Sequence, residues 1–243
     1  SELNPSVYPQ QLSDDIGSFI WSPLPGTAKE GIDISNLINA QLLTKERATT
    51  LALQEEESPQ ILHIASHAYF LVNKELLKSK NVSSLPQSLQ EQLSFSLKGE
   101  NPLLRSGIVL AGANQPEENP EDDGYLTALE VAKLDWQGTE MVVISGCESG
   151  KGDIQSGEGV YGLKRAIAVA GARSSLLSLW EVDDLATATF MTSFYEKLKA
   201  GEGRADALAA TQKEFRNHSI AAYRHPYYWA AFQLSGDWRP IKW

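Results

Sequence analysis

Four short runs, Ile61 to Ala65, Gly107 to Ala111, Glu140 to Ser145 and Ser174 to Trp180, are apolar along nearly their whole length. A strand with one wet face alternates apolar and polar residues, so near-continuous runs of this length imply strands covered on both faces. Helical patterns lie between and after them, at Leu126 to Lys133, Gly159 to Ala170, Leu185 to Ala200 and Arg204 to Asn217, with Asp184 as a cap signal before the third. This alternation predicts an α/β fold in which a mostly parallel central sheet carries helices on both faces. A last strand is expected over Trp229 to Leu234, stopped by Gly236 and Asp237.

With 243 residues, 42% hydrophobic and 21% charged, the chain suits one large folded domain, divided here into an N-terminal segment, 1–23, and a main domain, 24–243. Its single cysteine forms no internal disulfide, and with four histidines it fits a reducing, cytoplasmic setting. No apolar run approaches the ~20 residues of a membrane span, and no signal-peptide pattern opens the chain, so no membrane partner is expected. A net charge of −10 opposes direct nucleic-acid binding, which rests on cation contacts to phosphate. The start at Ser1, without Met, reads as a segment of something longer.

Two stretches break the pattern. Asn73 to Leu104 is polar, with a surface helix expected over Leu85 to Leu97, and Gln115 to Gly124 carries two prolines and five carboxylates. Both read as solvated excursions beside the cleft. The acidic run lacks the oxygen-ligand spacing and glycine placement of a calcium loop, and no metal or cofactor is expected.

Ligands of open parallel sheets bind beyond the carboxyl ends of the strands. That rule selects His67 after the first run, Cys147 after the third and Glu181 to Asp184 after the fourth. A thiol is scarcely ionised at neutral pH, so a nucleophilic cysteine needs a base, most often histidine. His67, just past its strand, is the candidate base, whereas His63 falls inside the run and reads as a packed, hydrogen-bonded residue. On extended chain the two histidines stand roughly 13 Å apart, too far to share an ion. Gly and Ser around Cys147 let a substrate backbone approach the sulfur, and the amides of Cys147 and Ala68 are candidate oxyanion donors.

The segments "LHIASHA", "GYLTALEVAKLDWQGTEMVVISGCESGKG", "GEGVYGLKRAIAVAGARSSLLSLWEVDD" and "HPYYWAAFQLSGDW" resemble, in order, the CHAT family, caspase-like domains named from their association with tetratricopeptide repeats. The resemblance runs from about Leu24 to Trp238 and implies a caspase-type sandwich with His67 and Cys147 as the catalytic pair. The chain departs from caspases at Ala68, where they carry Gly. Gly146 to Asp184 is also similar to separase. In caspases an arginine after a strand-end Trp helps recognise aspartate; here Glu181, Asp183 and Asp184 follow Trp180, so the resemblance implies a pocket for a basic residue, Arg favoured. Metacaspases specific for Arg and Lys carry Asp two residues before the cysteine, where this chain has Ser145. The expected partners are a protein substrate and an activating protein or tetratricopeptide-type domain, with low activity until that partner is supplied.

Three other readings compete. A catalytically silent interaction module has the same fold. An α/β-hydrolase would use Ser145-Gly146-Cys147-Glu148-Ser149 as a nucleophile elbow with His218 or His225 as base, but such an elbow runs directly into a helix, and about ten loop-forming residues precede Gly159 here. A phosphate loop over Gly157 to Lys164 fails because Leu163 separates Gly162 from Lys164. The aromatic stretch Tyr223 to Trp229 is expected to pack against the core and sheet edge.

Overall fold

The structure is a computed structural model that describes residues 19–70, 102–146, 158–180 and 182–243. Seven strands are described: β1 (Ile61–Ile64), β2 (Ala68–Phe70), β3 (Ser106–Val109), β4 (Tyr125–Thr127), β5 (Met141–Ile144), β6 (Ser174–Ser178) and β7 (Phe232–Gly236). The helices are α1 (Pro25–Ile38), α2 (Thr50–Gln54), α3 (Ala128–Val131), α4 (Glu158–Ala170), α5 (Asp184–Lys199) and α6 (Arg204–Arg216). The main sheet has the order β1-β5-β6-β7, with β1, β5 and β6 parallel and β7 antiparallel to β6.

Alternation along β5 shows why its sequence is apolar throughout. Met141 and Val143 enter one core, with Leu176 of β6 and Phe190, Phe194 and Phe215 of α5 and α6. Val142 and Ile144 enter the other, with Leu177 and with Val131, Leu163 and Ile167 of α3 and α4. Period-two geometry sends successive side chains to opposite faces, and both faces are covered. The α/β reading, a largely parallel sheet between helical layers, is therefore what the chain forms.

Four elements differ from expectation. The Gly107 to Ala111 run does not join the main sheet: β3 is the middle of a second, antiparallel sheet, β2-β3-β4. Every residue of β3 is buried, so a middle strand of a small covered sheet has the same apolar signature as a parallel one. The Leu126 to Lys133 pattern divides into β4 and the single turn α3. The division falls at Thr127, whose hydroxyl accepts from the Glu130 N–H while Glu130 reaches back to the Thr127 N–H, a capping box. The N-cap of α5 is Asp183, which accepts from the Ala186 N–H at 2.8 Å, and Asp184 is already helical. The last strand lies two to three residues later than read, over Phe232–Gly236. Tyr223 stacks on Phe215 and packs with Tyr228 against the core, as the aromatic stretch suggested.

The Leu85 to Leu97 helix lies outside the described residues. No helix among those described is long and apolar enough to cross a membrane. The acidic excursion is fixed by its own carboxylates: Asp122 accepts from the Thr50 and Leu51 N–H groups at the start of α2, and Asp123 from the Tyr125 N–H. Among the described residues no group of three or more His, Cys, Asp or Glu side chains is arranged to hold a metal ion.

Candidate active site

The carboxyl ends of β1, β5 and β6 meet where the chain leaves the main sheet for the small one. After β1, Ser66 and His67 bridge to β2: the His67 carbonyl accepts from the Val109 N–H at 2.8 Å, and the Ser66 hydroxyl donates to the Val109 carbonyl. This contact makes His67 and Val109 a hydrogen-bonded pair of the antiparallel ladder. The next pair, Ala68 and Ile108, is then of the non-hydrogen-bonded kind, and the Ala68 N–H points away from β3.

Gly146, two residues beyond β5, lies against that bridge. A Cβ on Gly146 would lie 1.2 Å from the Ser66 carbonyl oxygen and 3.3 Å from the His67 nitrogen, so only glycine fits this approach. The Ser145 N–H donates to the Ile64 carbonyl at 3.1 Å, and the Ser178 hydroxyl from β6 donates to the Gly146 carbonyl. Three strands thus converge on one residue, and the next in sequence is Cys147. Cys147 and Glu181 lie outside the described residues.

His67 is buried, with 8% of its surface exposed. Its Nε2 lies 2.7 Å from the Ser22 carbonyl oxygen, which only accepts, so Nε2 carries the proton and Nδ1 is the basic nitrogen of the neutral ring. The Trp21 indole covers the ring at a centroid distance of 5.2 Å. Trp21 is itself held by its Nε1–H donating to the Tyr125 hydroxyl at 2.9 Å. The sequence pattern assigned Trp21 and Ser22 no role, although Trp21 closes a short apolar run, Phe19-Ile20-Trp21. The Ser22 contact is made by a backbone carbonyl and has no sequence signal.

His63 is the packed strand residue it was read to be. Its Nε2 lies 2.8 Å from the Glu30 carboxylate and its Nδ1 3.1 Å from the Tyr195 hydroxyl. Burial pushes Tyr195 well above its ordinary pKa, so it stays protonated and donates to Nδ1. Glu30, on α1, is the partner the sequence did not disclose.

Asp183 and Asp184 are brought to the same end of the sheet, each with one bond to a helix start. Asp183 caps α5. Asp184 accepts from the Gly26 N–H in the first turn of α1, and burial is the first cause that raises its carboxyl above the ordinary range. Asp183 and Glu30 push it further up, and the Gly26 N–H and His67 oppose the shift. His218 and His225 are elsewhere, their Nδ1 atoms accepting from the N–H groups of Ile220 and Tyr227 in local turns.

A model of the CHAT domain matches residues 6–237. Tetratricopeptide repeat protein 28 of Homo sapiens is 28% identical over 234 residues, 94% of this chain and 9% of that protein. Its Mus musculus counterpart is 26% identical over the same share. The chain therefore spans about a tenth of the length of these relatives.

Proposed function

The chain belongs to the CHAT domain family, and from that premise we propose that it is a cysteine endopeptidase in which His67 is general base and Cys147 nucleophile. The observation that carries the reading is the backbone contact of Gly146 with Ser66 and His67, which brings the chain to the histidine one residue before the cysteine. Cys147 is the next residue in the sequence and consecutive Cα atoms are 3.8 Å apart, which supports pairing its thiol with the imidazole. Nδ1 takes the thiol proton, the thiolate attacks the scissile carbonyl, and the imidazolium, held by the Ser22 carbonyl, returns the proton to the leaving amine. The amides of Ala68 and Cys147 receive the oxyanion, and the outward direction of the Ala68 N–H supports its part in this.

Cleavage after a basic residue, Arg favoured, is the finer part of the proposal. It rests on Glu181, Asp183 and Asp184, which follow β6 in the sequence. Asp183 and Asp184 each hold a backbone N–H, yet a carboxylate has a second oxygen and Asp183 remains exposed. The names of the relatives favour a tetratricopeptide-type domain as the activating partner. They also favour a second reading, a catalytically silent regulatory module, since neither name describes a protease.

Digestion of a proteome-derived peptide mixture by the chain joined to its parent protein tests the proposal. Cleavage after Arg is expected, with Cys147→Ala and His67→Ala each costing on the order of a thousandfold in turnover. Full turnover by either variant, or no cleavage by any form of the parent, contradicts it. Preferential cleavage after Asp or Leu removes the basic-residue pocket alone.

A further inference from the structure

The acidic excursion, read from sequence as a solvated stretch beside the cleft that could block or order it, is tied to the histidine through Trp21. At its neck Asn114 makes both of its amide bonds to a single partner: the Trp21 N–H donates to Oδ1 at 2.8 Å, and Nδ2–H donates to the Trp21 carbonyl at 3.0 Å. Ala113, the residue before, accepts from the Tyr125 hydroxyl at 3.0 Å, and that hydroxyl accepts from the Trp21 indole. Consecutive residues of the neck thus hold the backbone and the side chain of Trp21. Gly112 (φ +99°) and Gly124 (φ +80°) close the neck in a conformation that side chains resist. A Cβ on Gly124 would lie 2.1 Å from the Ala113 nitrogen.

What Trp21 fixes is the next carbonyl. Ser22 precedes Pro23 and Leu24 precedes Pro25, and a residue before proline is confined to extended conformations. With Trp21 clamped at one end and α1 beginning at Pro25, the Ser22 carbonyl has little freedom to turn away from His67 Nε2. We propose that Asn114 is a positioning residue for His67, acting through the backbone of Trp21 to aim the Ser22 carbonyl at Nε2 and so hold the ring with Nδ1 as its basic nitrogen. An amide suits this task because it offers a donor and an acceptor on one planar group. Aspartate keeps the acceptor alone, and alanine keeps neither.

The inference rests on the protease reading only for its kinetic consequence, and the test separates the two. The ring nitrogens of His67 are followed by NMR in histidine-labelled protein, the signal being assigned by its loss in His67→Gln. Wild type is expected to show the neutral ring protonated at Nε2. In Asn114→Ala the Nε2–H form loses its dominance and the ring's titration midpoint moves, with Asn114→Asp between the two. The exposed Glu118→Ala, on the same excursion, leaves the ring as in wild type. Turnover of a cleaved peptide should fall about tenfold in Asn114→Ala with KM unchanged, as expected when a supporting residue lets the reacting group drift. Unchanged ring shifts and midpoint in folded Asn114→Ala, or in Asn114→Asp if the first variant does not fold, overturn the proposal even if thermal stability drops. Absence of cleavage by wild type counts against the protease reading, while the ring nitrogens still decide the role of Asn114.

Discussion

At Gly146 the missing Cβ lets β5 lie backbone to backbone against the Ser66–His67 bridge, and no other residue permits the approach. The atom a Cβ would strike is a backbone carbonyl whose own residue is tied to Val109, so it cannot step aside as the end of a long side chain would. Gly146→Ala should therefore destabilise the fold by about 1–3 kcal/mol, the range of small-to-large changes in packed regions. It should also abolish thiol–imidazole communication. Denaturant titration reads the first effect and Cys147 alkylation the second. Wild-type values for both would show that β5 and the bridge have slack. The sequence displayed Gly146 as one small residue among several around the cysteine, and what singles it out is a contact with a segment 80 positions away.

Two helix starts meet beside this bridge. Asp183 caps α5 and Asp184 supplies the start of α1 with an acceptor that its own N-cap, Leu24, lacks. Negative groups suit helix N-termini, yet two adjacent acids with Glu30 nearby also repel one another. Burial first, with the repulsion of Asp183 and Glu30 added, raises the Asp184 carboxyl against the opposing Gly26 N–H and His67. The folded protein then holds that proton more tightly than the unfolded chain, so ionised Asp184 opposes folding at neutral pH, and the opposition fades as pH falls through its folded-state value. Asp184→Asn keeps the oxygen that accepts from Gly26, so its melting temperature should exceed wild type at pH 7, the gap closing towards pH 4. A variant less stable at every pH would contradict this balance.

The elements also show where sequence patterns carry information and where they do not. Helices α4, α5 and α6 and strands β1, β5 and β6 were visible within a few residues, because each repeats its own period against a wide core. Helix α1 was not: it contains Gly26 and Gly31, and its reasons for being helical are tertiary, Asp184 at its start and Glu30 on His63. The three-residue strands β2 and β4 are too short to display a period, and their pairing with β3 decides them. Of the site, the histidine and the cysteine were legible as residue types at strand ends. Ser22, Trp21 and Asn114 were not, because Ser22 acts through its carbonyl and the other two through contacts between segments far apart in the chain.

Across the whole molecule the two ends of the main sheet do different work. At the end opposite His67, Arg204 is fully buried and forms ion pairs with Glu140, just before β5, and with Asp237, just after β7. Bonds from Arg239, then the charge of Arg204, hold the Asp237 carboxyl well below the ordinary range. Its stabilising contribution is complete above the ordinary carboxylate range and is lost as pH falls towards its folded-state value. Glu140→Gln leaves the Arg204 cation short of a charge and should cost on the order of 2 kcal/mol, less than a fully buried pair because Glu140 is partly wet. Urea unfolding measures it, and a loss under about 0.5 kcal/mol, the range of ordinary surface changes, would mean that Asp237 suffices alone. At the functional end the proposed chemistry requires that His67 take the proton of Cys147, the only cysteine in the chain. The most direct measurement is the rate of Cys147 alkylation by iodoacetamide against pH, read by intact mass, in wild type and His67→Ala. Wild type should inflect below the ~8.5 of a free thiol, with a shift to about that value and a roughly tenfold slower reaction at pH 7 once the imidazole is gone. Superimposable profiles, both inflecting near the free-thiol value, would contradict this proton transfer.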